Sequence, residues 1–546
     1  MIVKLSATAL IFTASVLAQV SSFPRPSYFR ETFAKPVTRV ELQAPARLSD
    51  FVADGKLELS LRSYLELVMA NNTDIQISSL AVETQKNQIL RANAIFDPVL
   101  TGSFTNERRK TPSNDALAGA DTLVSLSQPA RFGYTQTLPT GVQYTASFNA
   151  SKSSTNSGFQ NFNPALSSSL GLQFSQPLLR NRGREITRLN IMVAQSRLRK
   201  AEHDLRTQLL TLLTTAETAY WNVINARETL RVRQNALNLA GEALKRAQRE
   251  LELGALSPLD IFNPEQQFAS ARIEVSQAEF ALRQQEDALR REMGADLDPD
   301  VRRLPIVLTE DVMPGVTATI DAEMQVEKAL SMRPDLKSAL QSLDVDNLTI
   351  KSAANALKPE LALTGNYVSQ GRGGNFYQRS NVFNQDGSRI LSMLPGGFTN
   401  ALDQMFGFGY PIYSFGLTLR LPIRDRRAAA DYADALVTKK RDTLQVRSVE
   451  QQIRLEVLNA VNQVEASKAA VDLAITARGY AQKYLDAEQK KYELGTSQLF
   501  FVLQAQDRLN QAEAAVVQNS VSYRRNLLNL LRRTGDLLEE RGIVIQ

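Results

Sequence analysis

The single histidine of this 546-residue chain, His203, sits in a charged helical stretch, and no cysteine or Ser/His/Asp set accompanies it. A lone imidazole in such surroundings reads as a solvated residue rather than a general base. Asp296, Asp298 and Asp300 have the spacing that opens a calcium loop, but the glycine and closing glutamate are missing, so they read as a connector. Gly371, Gly373 and Gly374 flank Arg372 without the strand–helix context of a phosphate cradle, and read as a flexible loop. Neither disulfides nor thiolate metal sites are available. No catalytic residue, cofactor or metal site is expected, and an enzyme is the weaker reading.

What remains to be explained is architecture. Hydrophobic residues make up 43% of the chain and aromatics only 7%, with Ala, Gln, Arg and Glu dense in the helical stretches. That mix suits long helices packed by narrow seams. The net charge of +6 is spread with both signs interspersed, which describes a solvated surface and no nucleic-acid partner. Residues 1–18 carry Lys4, an apolar run from Leu5 to Leu17 and a small residue at Ala18. This is the form of a secretory signal peptide cleaved after Ala18; a buried N-terminal helix is the other reading. No cysteine follows to carry a lipid anchor. No later apolar run reaches the length of a membrane helix, so a membrane span would be a β-barrel.

Strand candidates exist. Val142, Tyr144, Ala146, Phe148 and Ala150 alternate with polar residues, as do Leu170, Leu172 and Phe174, and again Tyr413, Phe415, Leu417, Leu419 and Leu421. Shorter matches begin at Leu100 and Leu363. The first and third runs have the length and period of barrel strands, with Tyr144, Phe148, Phe174, Tyr413 and Phe415 as expected lipid-facing residues. A soluble sandwich would show the same alternation. Small polar residues at the alternate positions favour a wet lumen, and 111–130, 154–167 and 371–408 read as long external loops. The turn at Leu138 to Gly141 adds a hairpin over 131–152, which is expected to enter the barrel.

The strands lie inside a duplication. An opener runs from Asp74-Ile75 to Phe96-Asp97-Pro98, and an ungapped second one from Asp335-Leu336 to Leu357-Lys358-Pro359. Each is followed by a strand ending in proline (Pro177, Pro422), a long helix, a Leu-Gly step (Leu253-Gly254, Leu494-Gly495) and a return helix stopping at glycine (Gly294, Gly535). Apolar residues recur at 3-4 spacing from Ala216 to Leu251, and less cleanly from Val457 to Leu485, as coiled-coil packing requires. Each long helix, read as starting near Arg184 in the first copy, would span roughly 105 Å, about the sum of an opener helix and a return helix. Each half can therefore supply one continuous and one broken column, with a belt at the break. At the first tip Ser257-Pro258-Leu259-Asp260 reads as helix cap, first-turn proline and capping carboxylate; Gly495-Thr496-Ser497 reads the same way without the acid.

These residues resemble the TolC-like outer-membrane efflux family. The likeness rests on Asn72-Thr73-Asp74-Ile75 and Arg333-Pro334-Asp335-Leu336, on the stretch from Phe174 to Arg184 (FSQPLLRNRGR), on Ala219-Tyr220-Trp221 and on the two Leu-Gly tips. The resemblance implies a mainly α fold with a transmembrane β-barrel portion. It implies a homotrimer sharing one β-barrel in the outer membrane, continued by a periplasmic α-helical barrel. It also implies an exit duct for an efflux or type I secretion system, on which an inner-membrane transporter and a periplasmic adaptor protein dock. The docking residues would be Gly254, Ser257, Asp260, Gly495 and Ser497. Two departures stand out: an acidic entrance ring would have to come from Asp260 or Glu493, and the hairpin exceeds the four strands per protomer usual in the family.

The implied segments are a signal peptide (1–18), a linker (19–58), opener helices (59–98 and 320–359) and strands (99–178 and 360–422). Long helix, tip and return helix fill 179–294 and 423–535, with an equatorial connector (295–319) and a tail (536–546). A periplasmic or surface coiled-coil structural or adaptor protein is the alternative.

Overall fold

The computed structural model describes residues 51–53, 55–113, 120–158, 160–254, 257–294, 304–312, 320–380 and 389–543. The chain divides into two units, 1–44 and 45–546. The first, with the expected signal peptide, lies outside the described residues, as do Asp296, Asp298 and Asp300. All that follows concerns the second.

Strands β1 (Val52–Ala53) and β2 (Lys56–Leu59) lead into helices α1 (Leu61–Asn71) and α2 (Thr73–Asn93). Asn72 ends the first and caps the second: its side-chain oxygen accepts from the N–H groups of Asp74 (2.9 Å) and Ile75 (3.3 Å). Strands β3 (Val99–Phe104), β4 (Glu107–Pro112), β5 (Thr122–Thr137), β6 (Gln143–Thr155) and β7 (Phe162–Pro177) follow. A single turn, α3 (Arg184–Thr187), precedes the long helix α4 (Leu189–Glu252), so the helix expected from Arg184 is interrupted at Arg188. Helix α5 (Phe262–Glu292) returns, and strand β8 (Ile306–Leu308) leads to the second copy. That copy comprises α6 (Ala322–Met332), α7 (Pro334–Ala356), β9 (Glu360–Arg379), β10 (Ile390–Leu394), α8 (Phe398–Phe406), β11 (Tyr410–Arg420), α9 (Arg426–Glu493), α10 (Leu499–Thr534) and α11 (Leu537–Glu540).

Long and return helices end on glycines with positive φ: Gly254 (72°), Gly294 (69°), Gly495 (73°) and Gly535 (86°). The left-handed conformation disfavours a Cβ by roughly 1–2 kcal/mol, which is why glycine marks these stops. The broken columns are joined at matching places. A Cβ on Gly294 would lie 3.2 Å from the carbonyl of Asn71, at the head of α2, and one on Gly535 would lie 3.4 Å from the nitrogen of Arg333, at the head of α7. α5 therefore continues into α2 alongside α4, and α10 into α7 alongside α9.

The large sheet is antiparallel, in the order β10-β9-β7-β6-β5-β3, with β11 also on β9 and β4 also on β5. β3 and β4 follow one another along β5, and β11 and β10 along β9, so its eight strands fill six columns (8 − 2). The 131–152 hairpin is part of it: β5 pairs with β6 from Thr137–Gln143 to Ser125–Thr155. The expected long loops are shorter than their sequences suggest. β5 begins at Thr122, β7 at Phe162, β9 continues to Arg379, and β10 and α8 lie within 371–408. Above the apolar band both strand faces turn polar, so pairing persists where alternation fades.

At the helix junctions sits a small sheet, β1-β2-β8, with α1 beside it. Leu57, Leu59, Tyr64 and Leu67 from this layer pack with Leu213, Ala216, Tyr220 and Ile224 of α4 in one core. Tyr64 donates a hydrogen bond to the Ala216 carbonyl and Tyr220 to the Leu59 carbonyl, both 3.1 Å, so each buried phenol is satisfied.

Candidate functional site

Three zones carry the most distinctive side-chain arrangements. In the sheet, cross-strand register decides which side chains share a face. Tyr144, Phe174, Gly365 and Phe415 form one row; Tyr134, Leu172, Tyr367 and Tyr413 form the next; Phe132, Phe148 and Leu170 form a third on the same face. All five expected lipid-facing residues are thus on one side of one sheet, with Tyr413 72% and Phe415 74% exposed. The opposite face carries Thr145, Gln173, Asn366 and Ser414 in one row, with Asn149, Ser169 and Gln370 four residues further along.

Sequence reasoning missed α8, and with it the purpose of the Gly371–Gly374 stretch. This stretch is strand, not loop. α8 lies on the apolar face so closely that a Cβ on Gly371 would sit 1.8 Å from the Ala401 carbonyl oxygen. Ser168 Oγ donates to the Ala401 carbonyl (2.8 Å) and Ser369 Oγ to that of Met405 (2.5 Å). Small residues repeating on one strand face (Ser369, Gly371, Gly373) were the available signal.

The second zone is the pair of helix-to-helix tips. Gly495 N–H bonds the Tyr492 carbonyl (2.9 Å) and Thr496 N–H that of Lys491 (2.9 Å), a Schellman turn; Gly254 N–H makes the corresponding bond to Leu251 (3.0 Å). Ser257 Oγ accepts from Leu259 N–H (3.3 Å), as a cap does, but it caps a turn ahead of α5 rather than the helix itself, and Asp260 does not cap that helix either. Ser257 forms a turn, its carbonyl accepting from Asp260 N–H (2.9 Å), and α5 starts at Phe262 without a side-chain cap. The reason is Pro264. A helix capped at Ser257 would bury this proline, which lacks an N–H, in its interior; starting at Phe262 puts it in the first turn. Ser497 does not cap α10 either: its Oγ donates to Glu488 Oε2 (2.9 Å). The Lys491 ammonium (2.7 Å) and, after it, that bond hold the Glu488 carboxyl below its ordinary pKa.

The two tips are tied together. Tyr492 Oη donates to Glu250 Oε2, and burial and that neighbouring carboxylate push the Tyr492 hydroxyl up to about 12. Asp260 lines a 300 Å³ cavity beside this bond with Glu250, Asn263 and Phe500; Glu493 is exposed and does not line it. Also missed were the large apolar side chains displayed here: Leu253 (83% exposed) and Leu494 (79%) precede the two tip glycines, with Leu259 and Phe500 near them.

The third zone is the junction layer. Glu217, 1% exposed, takes both Nη2 (2.6 Å) and Nε (3.1 Å) of Arg541 and accepts from the Trp221 indole (3.3 Å). Arg333 joins Asp335 to Glu456, which also takes Arg533. His203 is half-buried rather than solvated; its Nδ1 has no partner, and burial with Arg206 and Lys337 nearby lowers its pKa. Among the described residues no cluster could hold a metal ion, and no helix is long and apolar enough to cross a membrane.

A family model described as outer membrane efflux protein matches residues 130–295 and 326–536. The chain belongs to that family. It is 20% identical over 484 residues to the probable efflux pump outer membrane protein TtgC of Pseudomonas putida, covering 87% of this chain and 83% of that one. It is 23% identical to the outer membrane protein TolC of Vibrio cholerae, over 68% of this chain and 77% of TolC. The fold matches the crystal structure of the Campylobacter jejuni CmeC outer membrane channel at TM-score 0.59 and 18% identity, covering 90% and 87%. This efflux protein thus has the TolC-like fold and acts as a channel of the outer membrane; the family is one of transport.

Proposed function

We propose that three copies of this efflux protein close one barrel and one helical tunnel, onto whose tips a periplasmic adaptor protein and an inner-membrane transporter dock. The observation that carries this reading is the sheet. Its edge strands, β3–β4 and β10–β11, have no partner on their outer sides among the described residues. Six columns are too few to enclose a wet lumen, and a bare edge of this length invites pairing. Because six is even, β11 runs opposite to β3, so β11 of one copy can pair antiparallel with β3 of the next and a ring closes. Three copies make an eighteen-stranded barrel, wider than twelve strands would be. Its apolar face, with Tyr144, Phe148, Phe174, Tyr413 and Phe415, would meet lipid, and the Asn149 and Gln173 face would meet water.

At the far end, the Gly254 and Gly495 turns present Leu253 and Leu494 to solvent, as a docking surface for apolar partners would. Asp260 beside Glu250 is the better source of acid at the entrance. Native mass spectrometry in detergent tests the assembly, with a trimer expected; a stable monomer overturns it. Introduced cysteines, in a chain that has none, test the closure: β3 cysteines should crosslink to β11 cysteines only between copies.

A further inference from the structure

Arg525 of α10 reaches across to α4, where it donates a hydrogen bond to the Asn222 side-chain oxygen. Its Nε has no acceptor, and no carboxylate pairs with it among the described residues. Burial alone pushes its pKa down, with no neighbouring charge offsetting it. The guanidinium borders a 420 Å³ cavity between α4, α5 and α10, whose other polar lining is Asn222, Asn225, Thr229 and Gln285. The rest of the wall is alanine, and no acid lines it. Asn225 Oδ1 is also buried without a partner. A half-buried guanidinium beside only neutral amides is an unbalanced arrangement, since buried charges are ordinarily paired.

The cavity's position gives this imbalance a use. Counting about 100° per residue along α4, Leu213, Tyr220 and Ile224, which pack on the junction layer, fall on one side of the helix. Asn222, Asn225 and Thr229 fall on the opposite side. With the junction layer outside the tunnel, as a belt must be to leave the duct clear, the cavity opens on the lumen.

We propose that this cavity is an anion site on the channel wall, where Arg525 takes the carboxylate of a passing solute. The inference rests on the channel reading above. A carboxylate fits the free edge of the guanidinium with charge-assisted bonds, and a hydroxyl or amino donor on the same solute would satisfy Asn225 Oδ1. The solute class is therefore hydroxy- or amino-carboxylates, and three copies would set three such sites around one level of the tunnel.

Single-channel recording of the full-length protein in planar bilayers tests this, with citrate as the probe and a neutral sugar as control. Citrate should lower the conductance saturably and the sugar should not. R525Q should weaken the citrate effect at least about tenfold, the range for losing a hydrogen bond to a charged group. R525K should keep part of it, and N225D, which supplies a carboxylate from within, should remove it. A wild-type protein that conducts but responds identically to citrate with and without R525Q overturns the site. So does a loss of trimer in R525Q, which would assign Arg525 to an acid of a second copy. A protein that never conducts would instead count against the channel reading.

Discussion

The two return helices occupy equivalent places in the duplicated sequence, yet α10 buries thirteen residues and α5 only three. α10 lies between α4 and α9 of its own chain, whereas α5 has α4 as its principal neighbour. On α5, Ile273 (59%) and Phe280 (65%) stay exposed, and on the outer side of α9 so do Leu473 (70%) and Tyr480 (67%). The lateral order is α5, α4, α10, α9, so these two apolar edges are the ends of an open row. One duplicated unit thus has a completed seam inside the chain and an incomplete one at its border, and the incomplete seam is the surface that the proposed assembly would cover.

The sharpest test sets one substitution in each helix. Val521→Asp on α10 places a carboxylate in a core site that is 1% exposed, and is expected to cost about 4 kcal/mol or more and prevent folding. Phe280→Asp on α5 should change protomer stability by only about 0.5 kcal/mol while abolishing the trimer. Denaturant melts and native mass spectrometry read the two effects separately. A Phe280→Asp variant that still assembles would mean that α5 borders solvent, not another copy.

α10 is also fastened beyond its far end. Its continuation returns Arg541 to the buried Glu217 of α4. Arg541→Met leaves that carboxylate buried and unpaired, and should cost about 3–5 kcal/mol by denaturant melt. Replacing both partners, Glu217→Gln with Arg541→Met, should recover much of the loss. If the double variant is no better than the single one, the pair is not what holds the tail.

Much of this arrangement was legible beforehand, for reasons tied to particular residues. The four terminal glycines could be read because a positive φ excludes most side chains, so Gly254, Gly294, Gly495 and Gly535 marked the elements in advance. The hairpin could be read because Phe132, Tyr134, Tyr144 and Phe148 keep strict alternation. The start of α5 could not be read from Ser257-Pro258 alone, because Pro264, further on, overruled a plausible cap. The packing of α8 on Gly371 was hidden because close approach leaves glycines that look like a loop. The unequal burial of α5 and α10 was hidden too, since seams of similar composition are filled by different neighbours.

The tips extend the comparison, because there both long helices end on a glycine in the same left-handed conformation. Among the described residues, nothing beyond the adjoining backbone lies within 4 Å of a Cβ built on Gly254 or Gly495, so valine at each meets chiefly backbone strain. Each substitution should cost roughly 1–2 kcal/mol, confined to the tip. Efflux should fall while outer-membrane insertion, measured by fractionation, stays normal. Normal efflux in the double variant would move the docking surface elsewhere.

The smallest expected effect comes from a bond that ties the two hairpins near their tips, Tyr492 to Glu250. Tyr492→Phe removes the donor without changing the packing of the ring, and should cost about 1 kcal/mol. Its pH signature is distinctive. A phenol raised from 10.0 to about 12 in the fold contributes its full stabilisation below pH 10 and loses it between pH 10 and about 12. The phenol therefore stays protonated, and able to donate, at physiological pH. Wild-type protein should show an alkaline loosening of the tips across that window, read by hydrogen exchange at residues 488–500, and Tyr492→Phe should lack it. Since the bond joins α9 to α4 rather than α5 to α4, its loss should loosen the second hairpin against the first and leave each helical pair intact. Equal loosening within α4–α5 would show that the tips are held by each hairpin alone.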